Sequence, residues 1–203
     1  MRIEIPLFDG FDEVDAIAPF EVLGNAAFVR DVEVELVGAH GPGEVVAGHG
    51  MRVLTSSGLT GSADLVLVPG GGWRELAGSP RAVRREYDDG RLPARLRELH
   101  AAGATIASVC TGAMLLARAG ITDGRPATTA RPVLDDLAAT GALVDREARV
   151  VDDGDLLTCG GVTSGLDLAL HLVEREWGPE LAHGIATLME HERRGPVAVT
   201  APA

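Results

Sequence analysis

Hydrophobic residues along the chain fall into short apolar runs that alternate with longer amphipathic segments. The apolar runs, typical of buried strands, cover residues 2–8, 32–37, 64–68, 104–109 and 156–159. The amphipathic segments predict helices over residues 14–23, 81–102 with a break at 90–93, 132–139, 162–177 and 181–190. Strands that alternate with helices predict an α/β fold with a mostly parallel sheet covered on both faces.

Weaker signals predict smaller elements between these segments. Pro19 lies inside the first predicted helix, and we expect it to kink or restart that helix. The remaining predictions are a loop or weak hairpin at 38–50, a short strand at 52–55, an extended piece at 126–129, and a hairpin of 142–144 with 148–151. We expect one domain over residues 1–194 and a loose tail, rich in Pro and Ala, over 195–203.

Cys110 lies where a buried strand passes into a helix. Ser108 precedes it by two residues and Gly112 follows it by two, which is the spacing of a nucleophile elbow with a thiol as the nucleophile. We expect the side chain to project at a helix N-terminus, where unpaired N–H groups lower the pKa of a thiol. The alternative interpretation is an inert, buried thiol at a strand end.

Two glycine-rich turns also follow predicted strands, at residues 70–72 and 160–161. In open α/β sheets, ligands bind beyond the carboxyl ends of the strands, so these turns and Cys110 indicate one site. Neither turn has the spacing of a phosphate-binding loop. Cys159 lies at the same edge and is interpreted as a small buried residue, with a resolving thiol as the alternative.

Composition excludes several function classes. The net charge of −12, with no basic cluster, disfavours nucleic-acid and membrane-surface binding. The absence of a signal-like or membrane-spanning apolar run, with two cysteines far apart, favours a reducing cytoplasm. Asp167, His171 and Glu174 share one helix face, which we interpret as solvent-exposed rather than metal-binding. We expect no metal and no other cofactor.

Four motifs in chain order resemble the signatures of the DJ-1/PfpI superfamily. They are FDEVDAIAP at 11–19, VPGG at 68–71, ASVCTG at 107–112 and TCGGVTSGLD at 158–167. The resemblance spans roughly residues 3–176 and implies a flavodoxin-like α/β/α sandwich. It also implies a homodimer with the site close to the interface.

Within that superfamily, the chain resembles the isocyanide (isonitrile) hydratase branch. Proteases of the superfamily carry His directly after the nucleophile and Glu in the first helix, where this chain has Thr111 and Asp15. Residues 123–129 also resemble the hydratase branch. The chain departs from the branch pattern Thr-His-Trp, because Ala130 and Arg131 follow Thr129 here.

The resemblance implies that the thiolate of Cys110 attacks a small electrophilic substrate, an isocyanide, while Asp15 supplies a proton. The backbone N–H groups of Gly71 and Thr111, beside Gly70, resemble the oxyanion hole of the family. We expect the Thr111 side chain to hydrogen-bond either Asp15 or the substrate. Because a carboxylate beside a thiolate is costly, the two acids are expected to share one proton.

Two other functions remain open at this point. One is a redox- or stress-sensing protein whose thiol is oxidised. The other is a different activity of the same superfamily, of the hydrolase or glyoxalase type, which the lack of His at 111 and 130 disfavours. About 25 residues follow Trp177, fewer than the helix-turn-helix domain of related regulators requires.

Overall fold

The computed structural model describes residues 1–74 and 82–200. The strands in these residues are β1 Arg2–Leu7, β2 Glu33–Gly38, β3 Gly43–Val46, β4 Arg52–Thr55, β5 Leu65–Val68, β6 Thr105–Ser108, β7 Pro126–Ala127, β8 Leu143–Val144, β9 Val150–Asp152, β10 Leu156–Cys159 and β11 Val197–Val199. The helices are α1 Glu13–Ala27, α2 Ala82–Asp89, α3 Arg91–Ala101, α4 Ala113–Arg118, α5 Leu134–Ala138, α6 Ser164–Trp177 and α7 Pro179–Leu188. Short 3₁₀ turns cover Cys110–Gly112 and Arg131–Val133.

The central sheet has the strand order β11-β9-β10-β6-β5-β1-β2. The five strands from β10 to β2 run parallel to their neighbours, while β9 is antiparallel to β10 and parallel to β11. The predicted α/β class with a mostly parallel sheet is therefore confirmed. The predicted weak hairpin is also present, as the antiparallel pair β3–β4.

Helices cover the sheet in two groups, which gives the α/β/α sandwich. Helices α1, α6 and α7 contact one another, and α2, α3 and α4 form the second group. Strands β5 and β10 are buried along their whole length. The sequence of β5 is entirely apolar, and the one polar side chain of β10, Thr158, accepts a hydrogen bond from the Thr128 N–H. No helix in residues 1–74 and 82–200 is long and apolar enough to cross a membrane.

Helix α1 continues through Pro19, so the predicted restart at this residue does not occur. A proline inside a helix loses one backbone hydrogen bond. Its ring packs on α6, because a Cβ built on Gly165 would lie 3.2 Å from Pro19 Cγ. The close packing of α1 on α6 offsets the lost hydrogen bond.

The predicted hairpin of residues 142–144 with 148–151 is wrong. Strand β8 pairs in parallel with β7, whereas β9 joins the central sheet between β10 and β11. The expectation of a loose tail is also wrong for residues 197–199, which form β11, and residues 201–203 lie outside the described part of the chain. The tail pairs with β9 because that strand otherwise presents unpaired N–H and C=O groups at the sheet edge.

Candidate active site

Cys110 is the first residue of the 3₁₀ turn that connects β6 to α4, at the sharp turn that the elbow spacing predicts. Its φ is +57°, a left-handed conformation that is strained for a residue with a side chain. The turn requires small neighbours. A Cβ on Gly112 would lie 2.5 Å from the carbonyl oxygen of Val68, and Ser108 is completely buried.

Hydrogen bonds from two other strand ends hold the backbone of Cys110. Its N–H donates to the Gly160 carbonyl at 3.0 Å. Its carbonyl accepts from Thr129 Oγ1 at 2.7 Å. Sequence reasoning did not assign this role to Thr129, although the residue ends the stretch 123–129 that resembles the hydratase branch.

Asp15 lies in the first turn of α1 and is completely buried. Its Oδ2 accepts a hydrogen bond from Gly70 N–H at 3.0 Å, and Oδ1 has no hydrogen-bond partner among the described residues. A Cβ on Gly70 would lie 2.6 Å from Asp15 Oδ2 and 2.8 Å from Thr111 N. The glycine therefore lets the carboxyl group of α1 approach the elbow.

Burial and proximity shift the pKa of both acids in the site. Burial raises the pKa of Asp15 to about 7, and the neighbouring charge of Asp12 adds to the shift. Burial and the negative charge of Asp15 raise the pKa of Cys110 to about 12. The predicted lowering of the thiol pKa is therefore wrong, because loss of hydration outweighs the effect of a helix of six residues.

The pair nevertheless has the coupled character expected from the sequence. Each of the two acids shifts the pKa of the other, so they titrate as a coupled pair in which ionisation of one disfavours ionisation of the other. Cys159, in contrast, is buried at the end of β10, which confirms its interpretation as a core residue. Burial raises the pKa of its thiol as well.

Backbone N–H groups of Val162 and Thr111 face the Cys110 thiol and act to lower its pKa. Val162 is a residue that the sequence reasoning missed. The sequence pattern predicts a helix over residues 162–177, but α6 begins at Ser164 and Val162 has a φ of +45°. The preceding Gly160 and Gly161, at the carboxyl end of a strand, were the available signal of a functional turn.

The N–H of Gly71 is paired within the protein. It donates to Thr111 Oγ1 at 2.9 Å, and the Thr111 hydroxyl donates to the Gly71 carbonyl at 2.7 Å. In this conformation the Gly71 N–H is therefore not available to a substrate. The Thr111 hydroxyl is committed to Gly71 rather than to Asp15, contrary to one of the two expectations for it.

A cavity of about 630 Å³ opens beside Cys110. Its walls come from four parts of the chain, which are residues 128–134, 146–149, 160–164 and 194–196. This volume suits a small organic molecule. The last wall segment belongs to the C-terminal tail, which β11 attaches to the sheet.

Asp167 is buried and His171 is half-buried, so the interpretation of a solvent-exposed helix face is wrong for these two residues. His171 Nε2 lies 2.7 Å from Asp152 Oδ2, and Asp167 accepts a hydrogen bond from Arg149 Nε at 2.5 Å. Both pairs attach α6 to β9 and its flank. No group of metal-binding side chains is present within residues 1–74 and 82–200.

A model of the DJ-1/PfpI family matches residues 1–175. The chain belongs to the DJ-1/PfpI family. The four motifs noted in the sequence meet at one edge of the sheet. There Asp15, Gly70 and Val162 lie around the elbow that carries the Cys110 thiol.

Relatives in the DJ-1/PfpI family have names that indicate different functions. An isonitrile hydratase from Pseudomonas putida is 30% identical over 94% of this chain and 78% of its own length. Parkinson disease protein 7 homolog from Danio rerio is 29% identical over 89% of this chain and 92% of its own length. The HTH-type transcriptional regulator GbdR from Pseudomonas aeruginosa is 31% identical over 74% of this chain, which covers 39% of the regulator.

Solved structures of the DJ-1/PfpI family share the fold. A ThiJ/PfpI family protein from Pseudomonas syringae has a TM-score of 0.83 at 24% identity, covering 96% of this chain and 76% of its own. Drosophila melanogaster DJ-1beta has a TM-score of 0.79 at 22% identity, covering 94% of this chain and 98% of its own. These likenesses establish the architecture of the chain.

Proposed function

We propose that this protein is a cysteine-dependent hydratase that adds water to a small isocyanide and releases an N-substituted formamide. The observation that carries the proposal is the proximity of the buried Asp15 carboxyl group to the half-buried Cys110 thiol, with the N–H groups of Thr111 and Val162 facing the sulfur. The isonitrile hydratase relative from Pseudomonas putida supports it. The presence of Thr111 directly after the nucleophile and of Asp15 in the first helix, which resembles the hydratase branch, also supports the proposal.

In the first half-reaction, Asp15 accepts the proton of the Cys110 thiol and the sulfur attacks the terminal carbon of the isocyanide. A carbon–sulfur bond forms, and Asp15 returns the proton to that carbon. The product is a thioimidate, in which the former isocyanide carbon carries one hydrogen, the sulfur and a double bond to nitrogen. A carboxyl group with a pKa of about 7 is suited to accept and donate a proton near neutral pH.

In the second half-reaction, water adds to the thioimidate carbon and its protons pass to the nitrogen and to the departing sulfur. The carbon–sulfur bond breaks, which releases the formamide and restores the thiol. The N–H groups of Thr111 and Val162 stabilise negative charge on sulfur before attack and again on departure.

The direct test is to incubate the protein with cyclohexyl isocyanide and follow N-cyclohexylformamide by proton NMR. Cys110→Ala should abolish turnover, and Asp15→Asn should reduce it by ~10²–10⁴-fold, the usual contribution of a general acid or base. Asp15→Glu should recover part of the activity. Cys159→Ala is the matched thiol control and should keep it.

Retention of activity in Cys110→Ala, or no formamide from the wild type with either cyclohexyl isocyanide or the anionic isocyanoacetate, would rule out the hydratase proposal. The redox-sensing alternative requires a readily formed thiolate, and the raised pKa of Cys110 disfavours it. Peptide mass spectrometry after mild peroxide would detect such oxidation. A glyoxalase-type activity is disfavoured by Thr111 and Ala130 in place of histidine.

A further inference from the structure

The cavity beside Cys110 concentrates positive charge in a strongly acidic protein. The chain carries a net charge of −12. Four arginines line the cavity, Arg131, Arg146, Arg149 and Arg194, against a single acid, Glu147. A cleft lined by one sign of charge attracts ligands of the opposite sign.

Two of the four arginines are already paired. Arg146 binds Asp135 at 2.6 Å, and Arg149 binds Asp167 at 2.5 Å. The side chains of Arg131 and Arg194 form no ion pair within residues 1–74 and 82–200. The remaining charged side chains in the cavity lining are Arg131, Arg194 and Glu147, so the lining keeps a net positive charge for a ligand.

The two unpaired arginines are attached to parts of the chain that also define the site. Arg131 begins the 3₁₀ turn two residues after Thr129, which holds the Cys110 carbonyl. The backbone N–H of Arg194 donates to Asp167 Oδ1 at 3.1 Å, which fixes that segment against α6. Both backbones are therefore anchored while their side chains are exposed at the cavity.

The rest of the lining is compatible with a small organic body. Ala130, Pro132, Leu134 and Ala148 contribute apolar surface between the arginines and the thiol. Arg131 also stands where the hydratase branch has Trp in its Thr-His-Trp pattern. A cation thus replaces an aromatic surface at the cavity.

We propose that the substrate of this protein is a small electrophile that carries an anionic group, a carboxylate in the simplest case. Arg131 and Arg194 bind this group and are the specificity-determining residues, while the electrophilic carbon reaches Cys110. For an isocyanide, the substrate class is an isocyano carboxylate. The inference rests on the proposed function only in that Cys110 is the reacting group.

Alkylation of Cys110 tests anion recognition without requiring hydratase turnover. Iodoacetate and iodoacetamide react in the same way, since the thiolate displaces iodide and a carbon–sulfur bond forms. They differ in that only iodoacetate is an anion. The ratio of their rates at Cys110, read by peptide mass spectrometry, cancels the thiolate fraction. Division by the same ratio for the uncharged thiol 2-mercaptoethanol cancels the difference in intrinsic reactivity between the two reagents.

The expected ratio is above one in the wild type and falls at least threefold in the double variant Arg131→Gln, Arg194→Gln. It should also fall as KCl is added, because salt screens exposed charges. Arg30→Gln is the matched control, since this exposed arginine precedes β2 at the amino edge of the sheet and should leave the ratio unchanged. Asp12 and Asp15 repel anions equally in all variants, so their effect cancels.

A wild-type ratio at or below one, or a smaller fall in the double variant, overturns the inference. Thermal unfolding of each variant shows whether the fold is intact, and the single variants replace the double variant if it unfolds early. Turnover of cyclohexyl isocyanide together with a ratio at or below one would keep the hydratase and reject the anionic substrate. A high ratio that the double variant lowers, without turnover of either cyclohexyl isocyanide or isocyanoacetate, would reject the hydratase and keep the recognition of an anionic substrate.

Discussion

Thr111 and Gly71 are joined by two hydrogen bonds of opposite direction. The Gly71 N–H donates to Thr111 Oγ1 at 2.9 Å, and the Thr111 hydroxyl donates to the Gly71 carbonyl at 2.7 Å. Because the Gly70 N–H donates to Asp15 in the same turn, this pairing joins Asp15 and the elbow at Cys110 into one unit.

Thr111→Val tests the energetic importance of that pairing. Valine matches the shape of threonine but leaves the N–H and the carbonyl of Gly71 without their partner. We expect the free energy of unfolding in urea to fall by about 1–3 kcal/mol. Thr111→Ser keeps the hydroxyl and should lose less, and equal losses in the two variants would contradict the interpretation.

Asp15→Asn should lower the pKa of the Cys110 thiol. The aspartate raises this pKa by its negative charge, which the neutral asparagine lacks. The rate of iodoacetamide labelling of the Cys110 peptide should therefore reach its midpoint at lower pH in the variant. The completely buried Cys159 should stay unlabelled, and a midpoint that is unchanged or higher would refute the electrostatic argument.

Asp15 should also make the stability of the protein depend on pH. Burial raises its pKa from 3.8 to about 7, so the folded state binds more protons than the unfolded state between these values. Stability from this group is fully present below pH 3.8 and is lost as pH rises through about 7. A shift of about three units corresponds to about 4 kcal/mol at most.

The measurement compares the free energy of unfolding of the wild type and Asp15→Asn between pH 5 and pH 8. Over this range the wild type should lose stability relative to the variant as the pH rises. Titrating groups that Asp15 does not influence affect both proteins alike and drop out of the difference, and Cys110→Ala in both backgrounds removes the contribution of the neighbouring thiol. A difference that stays constant with pH would show that Asp15 is ionised in both states.

Gly70→Ala should impair turnover more than folding alone explains. The new methyl group would lie 2.6 Å from Asp15 Oδ2 and would push the carboxyl group away from the thiol. Gly24→Ala is the matched control, because a Cβ there meets nothing within 4 Å and the residue lies inside α1. The control should gain up to about 1 kcal/mol from helix propensity, and equal turnover in the two variants would contradict the prediction.

The homodimer implied by the family resemblance stays a prediction. The apolar stretch of residues 26–29 ends in Phe28 and Val29, which are 86% and 58% exposed in the single chain. Light scattering at micromolar concentration should report twice the chain mass of 21.1 kDa. Phe28→Asp tests whether this stretch lies at the interface, and a monomeric wild type would remove the prediction altogether.

Local sequence was sufficient for the parts of this protein that depend on neighbours in the chain. The apolar runs predicted the buried strands, and the small residues around Cys110 predicted the elbow, because a sharp strand-to-helix turn has room only for small flanks. The break between α2 and α3 at Gly90 was predicted for the same kind of reason, since Gly90 has a φ of +80°.

Pairing between distant segments could not be predicted in this way. The pattern of residues 142–151 was consistent with a hairpin, yet β8 and β9 found partners elsewhere. The Pro- and Ala-rich composition of the tail did not reveal β11, because an edge strand is selected by the open edge beside it. Asp167 and His171 share a helix face, but only the fold brings Arg149 and Asp152 to them.

The sequence by itself placed Cys110 on an elbow at a strand end, and the resemblance of its motifs to the DJ-1/PfpI superfamily led to the prediction that Asp15 and Thr111 belong to the same site. Tertiary structure alone decided the electrostatics, since burial and the approach of Asp15 raise the thiol pKa that the helix terminus was expected to lower. It also decided that Val162 faces the sulfur and that Gly71 does not offer its N–H. A pKa and a free hydrogen-bond donor depend on every atom nearby, and chain order does not specify those atoms.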